Sequence, residues 1–368
     1  MKKILVVCTT DSMIWNFLIP HIKYLENKGF YVECACSRTG NFFEKLISEY
    51  SIKMNLIPFE RSPYKKENIR AYKMIVNLIN EKGFDTIFCH EPVGGAMGRL
   101  AGHHCGCSVI YMAHGFHFFK GAPKINWLIY FNIEKYLSRF TDILITINEE
   151  DFKVASKFKA KKVCKVAGIG VDTTKFSPKE EGYLRKKYGI DDEAIILLSV
   201  GELIPRKNHE TVIKALKMAG NSEFHYLIAG TGELEAYLKD LVKRLSLENQ
   251  VHFLGYRNDI SALCNASDIF IMPSVHEGLS VALMEAMGCG KAVIASEIRG
   301  NVDLIDNGKG GYLVPTYNVE KYMEAIETLS RSKIMRKQFG LYNIRKVKKF
   351  DVSFVKKQVG DILCNYIV

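Results

Sequence analysis

Short apolar, β-branched runs recur along this chain and alternate with longer stretches in which apolar residues return every three or four positions. The short runs read as strands buried on both faces, the longer ones as amphipathic helices. In the first half the pattern predicts strands at Ile4–Cys8, Tyr31–Cys36, Met54–Pro58, Thr86–His90, Ser108–His114, Asp142–Ile147 and Cys164–Ala167. The rhythm pauses at Gly168–Lys179 (GIGVDTTKFSPK), a turn-rich stretch that reads as a linker. It resumes with strands at Ala194–Val200, His225–Ala229, Val251–Leu254, Asp268–Met272, Ala292–Ala295 and Tyr312–Val314. A last helix is predicted from about Val352 to Tyr366. Regular βα alternation with nearly continuous apolar strands implies parallel sheets covered on both faces. The expected fold class is α/β: two Rossmann-like domains, residues 1–170 and 171–351, with the closing helix (352–368) returning to the first. Ligands are expected in a cleft between the domains, at the carboxyl ends of the strands.

Composition narrows the class. The 368 residues suffice for two domains, and 48% hydrophobic with 25% charged residues describes a folded soluble chain. No apolar run reaches the roughly 18 residues of a membrane span. The start, MKKILVVC, has a basic tip and an apolar run of about six residues, short for a signal peptide, and no cleavage site follows; it reads as a buried first strand. The ten cysteines include two C-x-C pairs, Cys34/Cys36 and Cys105/Cys107, and no C-x2-C pair, so reduced buried thiols in a cytoplasmic protein are expected rather than zinc ligands. The net charge of +11 is uneven, +8 over residues 1–172 and +3 over 173–368. A basic first half calls for an anionic partner. No nucleic-acid motif is present, and an anionic membrane surface at the inner face of the cell membrane, or a diphosphate-bearing acceptor there, fits the charge.

The chemistry concentrates in Ile271–Ser296 (IMPSVHEGLSVALMEAMGCGKAVIAS). Glu277 falls in the turn after a strand. Ser280 is placed to cap a helix beginning at Val281, and Glu285 lies in that helix among apolar neighbours. Two carboxylates and the free N–H groups between them suit a ligand with several hydroxyls and an anionic group. Upstream, Gly201 ends a strand and Arg206–Lys207 precede a helix, where a pair of cations can clamp a diphosphate. Gly230-Thr231-Gly232 and Gly255-Tyr256-Arg257 close two further strands.

The string PSVHEGLSVALMEAM, with Pro273, Ser274, Glu277, Gly278, Leu279 and an E-x7-E spacing, resembles the signature of retaining GT-B glycosyltransferases of family 4. The likeness extends to the Lys207 segment, to YMAHGFHFFKGAP around His114 and to the closing helix, and points to the exopolysaccharide or capsule type. It implies transfer of a hexose or N-acetylhexosamine from a nucleotide diphosphate sugar, UDP foremost, to a glycan or polyprenyl-diphosphate-linked acceptor. On the resemblance, Lys207 clamps the diphosphate with Gly201 and Arg206 beside it, and Gly278, Leu279 and Ser280 offer backbone N–H groups to it. Glu285 binds the ribose, Glu277 the donor sugar, Arg257 lies near the base, and His114 contacts donor sugar or acceptor. His114, Lys207 and Glu277 are the catalytic candidates. Two positions depart from the family: Glu202 stands where an arginine is usual, so that Arg206 supplies the charge or Glu202 has another role, and the first loop lacks a Gly-Gly pair. There is no D-x-D triplet, so no metal or other cofactor is expected. A GT-B nucleotide-sugar 2-epimerase and a non-catalytic sugar-nucleotide-binding or membrane scaffold are the alternatives.

Several features keep two readings. Asp11 and Ser12, after the first strand, either cap the next helix or touch acceptor. Lys65, Lys66 and Arg70, in a basic stretch from Arg61, form a solvated face or capture an acceptor phosphate or the membrane. The glycines of HEPVGGAMGR fit neither phosphate-loop spacing and read as close helix–sheet packing. Lys124–Arg139 (KINWLIYFNIEKYLSR) packs on the first sheet or lies on a membrane.

Overall fold

A computed structural model describes residues 1–180 and 183–367. Its contacts divide the chain into two units: residues 1–170 with the C-terminal helix Val352–Ile367, and Val171–Asp351. Val368, the last residue of the expected closing helix, lies outside the described residues.

The first unit is built on seven parallel strands: β1 (Lys3–Thr10), β2 (Tyr31–Ser37), β3 (Lys53–Leu56), β4 (Thr86–His90), β5 (Ser108–Ala113), β6 (Ile143–Thr146) and β7 (Lys162–Lys165), in the order β3-β2-β1-β4-β5-β6-β7. The second has six: β8 (Ile195–Val200), β9 (Phe224–Ala229), β10 (Val251–Gly255), β11 (Ile269–Met272), β12 (Ala292–Ser296) and β13 (Gly311–Val314), in the order β10-β9-β8-β11-β12-β13. Every predicted strand is present, with ends that coincide or shift by at most two residues. In β1, Ile4, Leu5, Val6 and Val7 are all fully buried, because helices cover both faces. Burying each such side chain contributes about 1.5–3 kcal/mol.

The strand order reverses between β1 and β4 in the first unit and between β8 and β11 in the second. In open α/β sheets the crevice beyond the strand ends at such a switch point is where ligands bind. In the first unit the helix Pro92–His104 lies so close to the sheet that a Cβ on Gly94 would sit 2.8 Å from Thr9 N, and one on Gly98 2.8 Å from Cys89 Cβ. These glycines serve packing, as expected. In the same helix Arg99 is fully buried, paired bidentately with Glu134 at 2.7 and 3.0 Å. The pair pins the 124–139 segment to this helix. That segment also turns Ile125, Leu128 and Tyr136, each more than half exposed, to the outside, so packing accounts for only part of its apolar surface. The closing helix packs on the helix Ile19–Asn27 and buries Val355, Val359 and Leu363. All ten cysteines are free thiols, and Cys8, Cys34, Cys36, Cys89, Cys264 and Cys289 are buried.

Candidate functional site

In the second unit the turn after β8 is fastened to the turn after β11. Val275 donates its N–H to the Arg206 carbonyl at 2.8 Å, and Asn208 Nδ2 donates to the Pro273 carbonyl at 3.1 Å. Asn208 has a left-handed φ of 51°, which an asparagine tolerates better than most residues. The clasp brings Lys207 Nζ to 2.7 Å and Arg206 Nη1 to 3.0 Å from the same oxygen, Glu277 Oε1. Gly201 makes room for this: a Cβ there would lie 3.0 Å from Lys207 Cε. Burial alone would raise the Glu277 carboxyl, but the charges of Lys207 and Arg206 outweigh it and hold the group below its ordinary value. Arg206 thus stands beside Lys207 on one carboxylate, while Glu202 is exposed.

Ser280 caps the helix Val281–Gly288, its Oγ accepting the Leu283 N–H at 3.3 Å, as the sequence predicts. Glu285, one turn along, is half-buried and has no hydrogen-bond or ion-pair partner among the described residues. Burial pushes its carboxyl up to about 7, opposed by the charge of Lys175. The two carboxylates of the E-x7-E pair are therefore in opposite states: one ionised and doubly paired, the other poised to titrate at neutral pH. The turn at Gly278 is backed by Arg299 and Gly300. Arg299 Nε donates to the Glu277 carbonyl at 3.0 Å, and a Cβ on Gly300 would sit 2.4 Å from the Gly278 carbonyl oxygen. Arg299 is not among the residues expected from the sequence; its place in R-G, three residues past the strand AVIAS, is the signal that marks it. The Gly230–Gly232 loop folds onto Gly201–Leu203, where Leu203 donates to the Thr231 carbonyl at 2.9 Å. Arg257 is engaged elsewhere: its guanidinium grips Asp259 at 2.8 and 2.5 Å and Tyr183 Oη at 3.2 Å, holding the Asp259 carboxyl down at about 2. The structure gives Arg257 a local brace.

The strand ends of the first unit differ. His114 follows β5, with its Nε2 3.0 Å from Nδ1 of His90, the last residue of β4. Burial lowers both imidazoles, His114 to about 3. Beside them Glu91 has φ 59° and ψ 162°, a conformation that costs a non-glycine residue about 1–3 kcal/mol. Its carboxylate reaches back to β1 and accepts the N–H groups of Thr9 at 2.8 Å and Thr10 at 3.1 Å. Asp11 is fully buried and does not cap the helix that follows it. Its oxygens accept from Thr39 Oγ1 and from the Thr39 and Phe43 N–H groups, which brace the start of the helix Phe42–Tyr50. This corrects the expectation of a local cap. Ser12, half-buried, donates to Thr10 Oγ1 at 3.1 Å. Lys65, Lys66 and Arg70 are all exposed at the start of the helix Glu67–Lys82. Among the described residues no group of three or more His, Cys, Asp or Glu is arranged to hold a metal ion, and no helix is long and apolar enough to cross a membrane.

Two α/β units with this strand order match solved GT-B structures. HepE of Anabaena, solved in complex with UDP, superposes with a TM-score of 0.82 at 20% identity over 99% of this chain and 100% of HepE. The fold is GT-B. The family model described as Glycosyl transferases group 1 matches residues 181–346, and that described as Glycosyl transferase 4-like matches residues 3–148. EpsD of Bacillus subtilis (strain 168), assigned as a glycosyltransferase, is 33% identical over 376 residues, 100% of this chain and 97% of EpsD. The UDP-Gal:alpha-D-GlcNAc-diphosphoundecaprenol alpha-1,3-galactosyltransferase of Escherichia coli is 27% identical over 97% of this chain and 95% of that enzyme. This chain belongs to the group 1 glycosyltransferases, and family membership decides for a transferase over an epimerase or a scaffold.

Proposed function

We propose that this glycosyltransferase moves a hexose or N-acetylhexosamine from a UDP-sugar, with retention of configuration, to a polyprenyl-diphosphate-linked or glycan acceptor of exopolysaccharide or capsule synthesis. The observation that carries the donor side is the convergence of Lys207 and Arg206 on Glu277 beside the Ser280-capped helix. Loss of the sugar leaves a nucleoside diphosphate, and rate follows from neutralising the charge that builds on it. Lys207 and Arg206 supply that charge. The N–H groups of Gly278, Leu279 and Ser280 and the helix dipole add to it. Glu277, already held in place by the cations, orients the donor sugar, and Glu285 accepts from the ribose hydroxyls. His114 contacts the sugar. Because protein cations do this work, turnover proceeds without an added divalent metal. UDP is favoured by the ligand of HepE and the donor in the name of the Escherichia coli relative, and the lipid-linked acceptor by that same name.

The chain meets its acceptor at an anionic membrane surface on the cytoplasmic side. Exposed Ile125, Leu128 and Tyr136 stand near the basic residues Lys124, Lys135 and Arg139 in sequence, a pairing that suits a bilayer interface. Liposomes containing anionic lipid should retain the protein at low salt and release most of it at about 0.5 M salt, where charge attraction is screened. Salt-independent retention would refute an electrostatic anchor.

Calorimetric titration with UDP, GDP and ADP, without metal, tests the donor assignment. UDP should bind in the wild type and fail to bind in Lys207→Ala. Absence of binding by any of the three overturns it.

A further inference from the structure

We propose that His90 is a positioning residue that holds His114 in a single imidazole tautomer, with the His114 proton on Nδ1. The inference rests on the reading of His114 as the group that contacts the sugar. His90 is fully buried, and its Nδ1 faces His114 Nε2 at 3.0 Å. Its other nitrogen, Nε2, is buried with no hydrogen-bond partner among the described residues. A neutral imidazole has one N–H to place. On Nε2 the proton would be an orphaned buried donor, the rarest and costliest kind of unpaired polar group. On Nδ1 it points at His114, and the unpaired atom is a lone pair only. His90 Nδ1–H therefore donates, and His114 Nε2 accepts. A neutral His114 whose Nε2 is an acceptor carries its own proton on Nδ1.

The surroundings keep the pair neutral and in place. The ring of Phe88 lies edge-on to His90, with centroids 4.2 Å apart, and the two imidazole planes meet at 30°. Glu91, next in the chain, hooks the end of β4 to Thr9 and Thr10 of β1 and so fixes the backbone that carries His90. The third nearby imidazole, His21, has its Nε2 3.4 Å from the Ile169 carbonyl. A carbonyl only accepts, so the His21 proton is on Nε2 and His21 brings no charge to the pair. The consequence for transfer is specific. His114 meets a sugar as a hydrogen-bond donor through Nδ1–H, not as a base.

The test is a two-bond proton–nitrogen correlation spectrum of the full chain labelled with [15N]histidine at pH 7.5. Signals are assigned by their loss in His114→Gln and His90→Phe. The wild type should show His114 protonated at Nδ1 and bare at Nε2. In His90→Phe the His114 proton should shift to Nε2. UDP release from the best-bound of UDP-glucose, UDP-galactose and their N-acetylamino counterparts, with a polyprenyl-diphospho-N-acetylglucosamine acceptor, should slow roughly tenfold, the scale of one hydrogen bond. UDP affinity should not change. His90→Asn, whose side-chain N–H stands in for Nδ1–H, should restore the tautomer and most of the rate. An Nε2-protonated His114 in the wild type, or an unchanged tautomer in His90→Phe, overturns the proposal; the wild-type spectrum decides even if His90→Phe fails to fold. A tautomer shift without loss of rate overturns the positioning role while leaving the donor clamp intact. A wild type that does not bind UDP overturns the donor reading instead.

Discussion

The two units share a topology and solve the same electrostatic problem in opposite ways. Each places carboxylates beyond its strand ends at the point where strand order reverses. In the second unit Glu277 is stabilised by side-chain cations, Lys207 and Arg206. In the first, Glu91 is stabilised by the backbone N–H groups of Thr9 and Thr10, and Asp11 by those of Thr39 and Phe43. Side-chain cations can be shared with an incoming anion, whereas backbone donors already engaged with a carboxylate cannot without dismantling the loop. The difference teaches where a diphosphate can enter: the second unit keeps exchangeable charge, and the first keeps fixed polarity and neutral imidazoles. The same contrast accounts for the missing glycine-rich loop after β1. The N–H groups that such a loop would offer a phosphate are occupied by Glu91.

The contrast can be broken at its strongest point by Lys207→Ala. Sugar transfer should fall about 10²–10³-fold, the usual loss for one preorganised charge-stabilising donor. UDP affinity should fall with it and the melting temperature should stay close to wild type; steady-state kinetics, calorimetry and a thermal melt read the three. Retained UDP affinity would move the clamp away from Glu277. His114→Ala should cut transfer on the order of a hundredfold and leave UDP affinity within about twofold, because the residue acts on the sugar and not on the nucleotide. Equal losses in both would make it structural.

Glu285 sharpens the comparison, since it is the one carboxylate of the pair without a cation. Its carboxyl sits at about 7, and ribose hydroxyls donate best to the ionised form. UDP affinity should therefore rise as pH increases from 6 to 8, by up to about tenfold per unit of pKa displaced on binding. Binding near pH 7 should release protons, seen as a dependence of calorimetric heat on buffer. Glu285→Gln should flatten both trends. A flat wild-type profile would sink the ribose assignment.

The smallest effect concerns stability. Burial lowers His21 to about 4, and the Ile169 carbonyl opposes that shift only in part. Its folded value lies below the unfolded value of about 6.5, so the unfolded chain binds the proton first. Stability is then full above about pH 6.5 and is lost as pH falls toward 4, by on the order of 3 kcal/mol for this group. Urea midpoints between pH 7 and 5 should fall, and His21→Gln should reduce the slope. A midpoint independent of pH would contradict a neutral buried imidazole.

The wild-type sequence carried the backbone nearly whole. The thirteen strands of the described residues, the boundary near Gly170, the Ser280 cap and the closing helix follow from apolar periodicity and turn residues, which act within a few positions of the chain. The tight packing of Gly94 and Gly98 was legible for the same reason: small residues recur on one helix face. Which side chains meet was decided by tertiary structure. Arg206 and Lys207 reach Glu277 across about seventy positions only because β8 and β11 are neighbours in the sheet. Asp11 turns to Thr39 because β1 and β2 are paired, and Arg257 closes on its near neighbour Asp259 and distant Tyr183. Periodicity fixes the face a residue occupies, since that is local geometry. The partner of a buried charge depends on which strands lie side by side, and that is settled only when desolvation forces each charge to find the nearest compensating group.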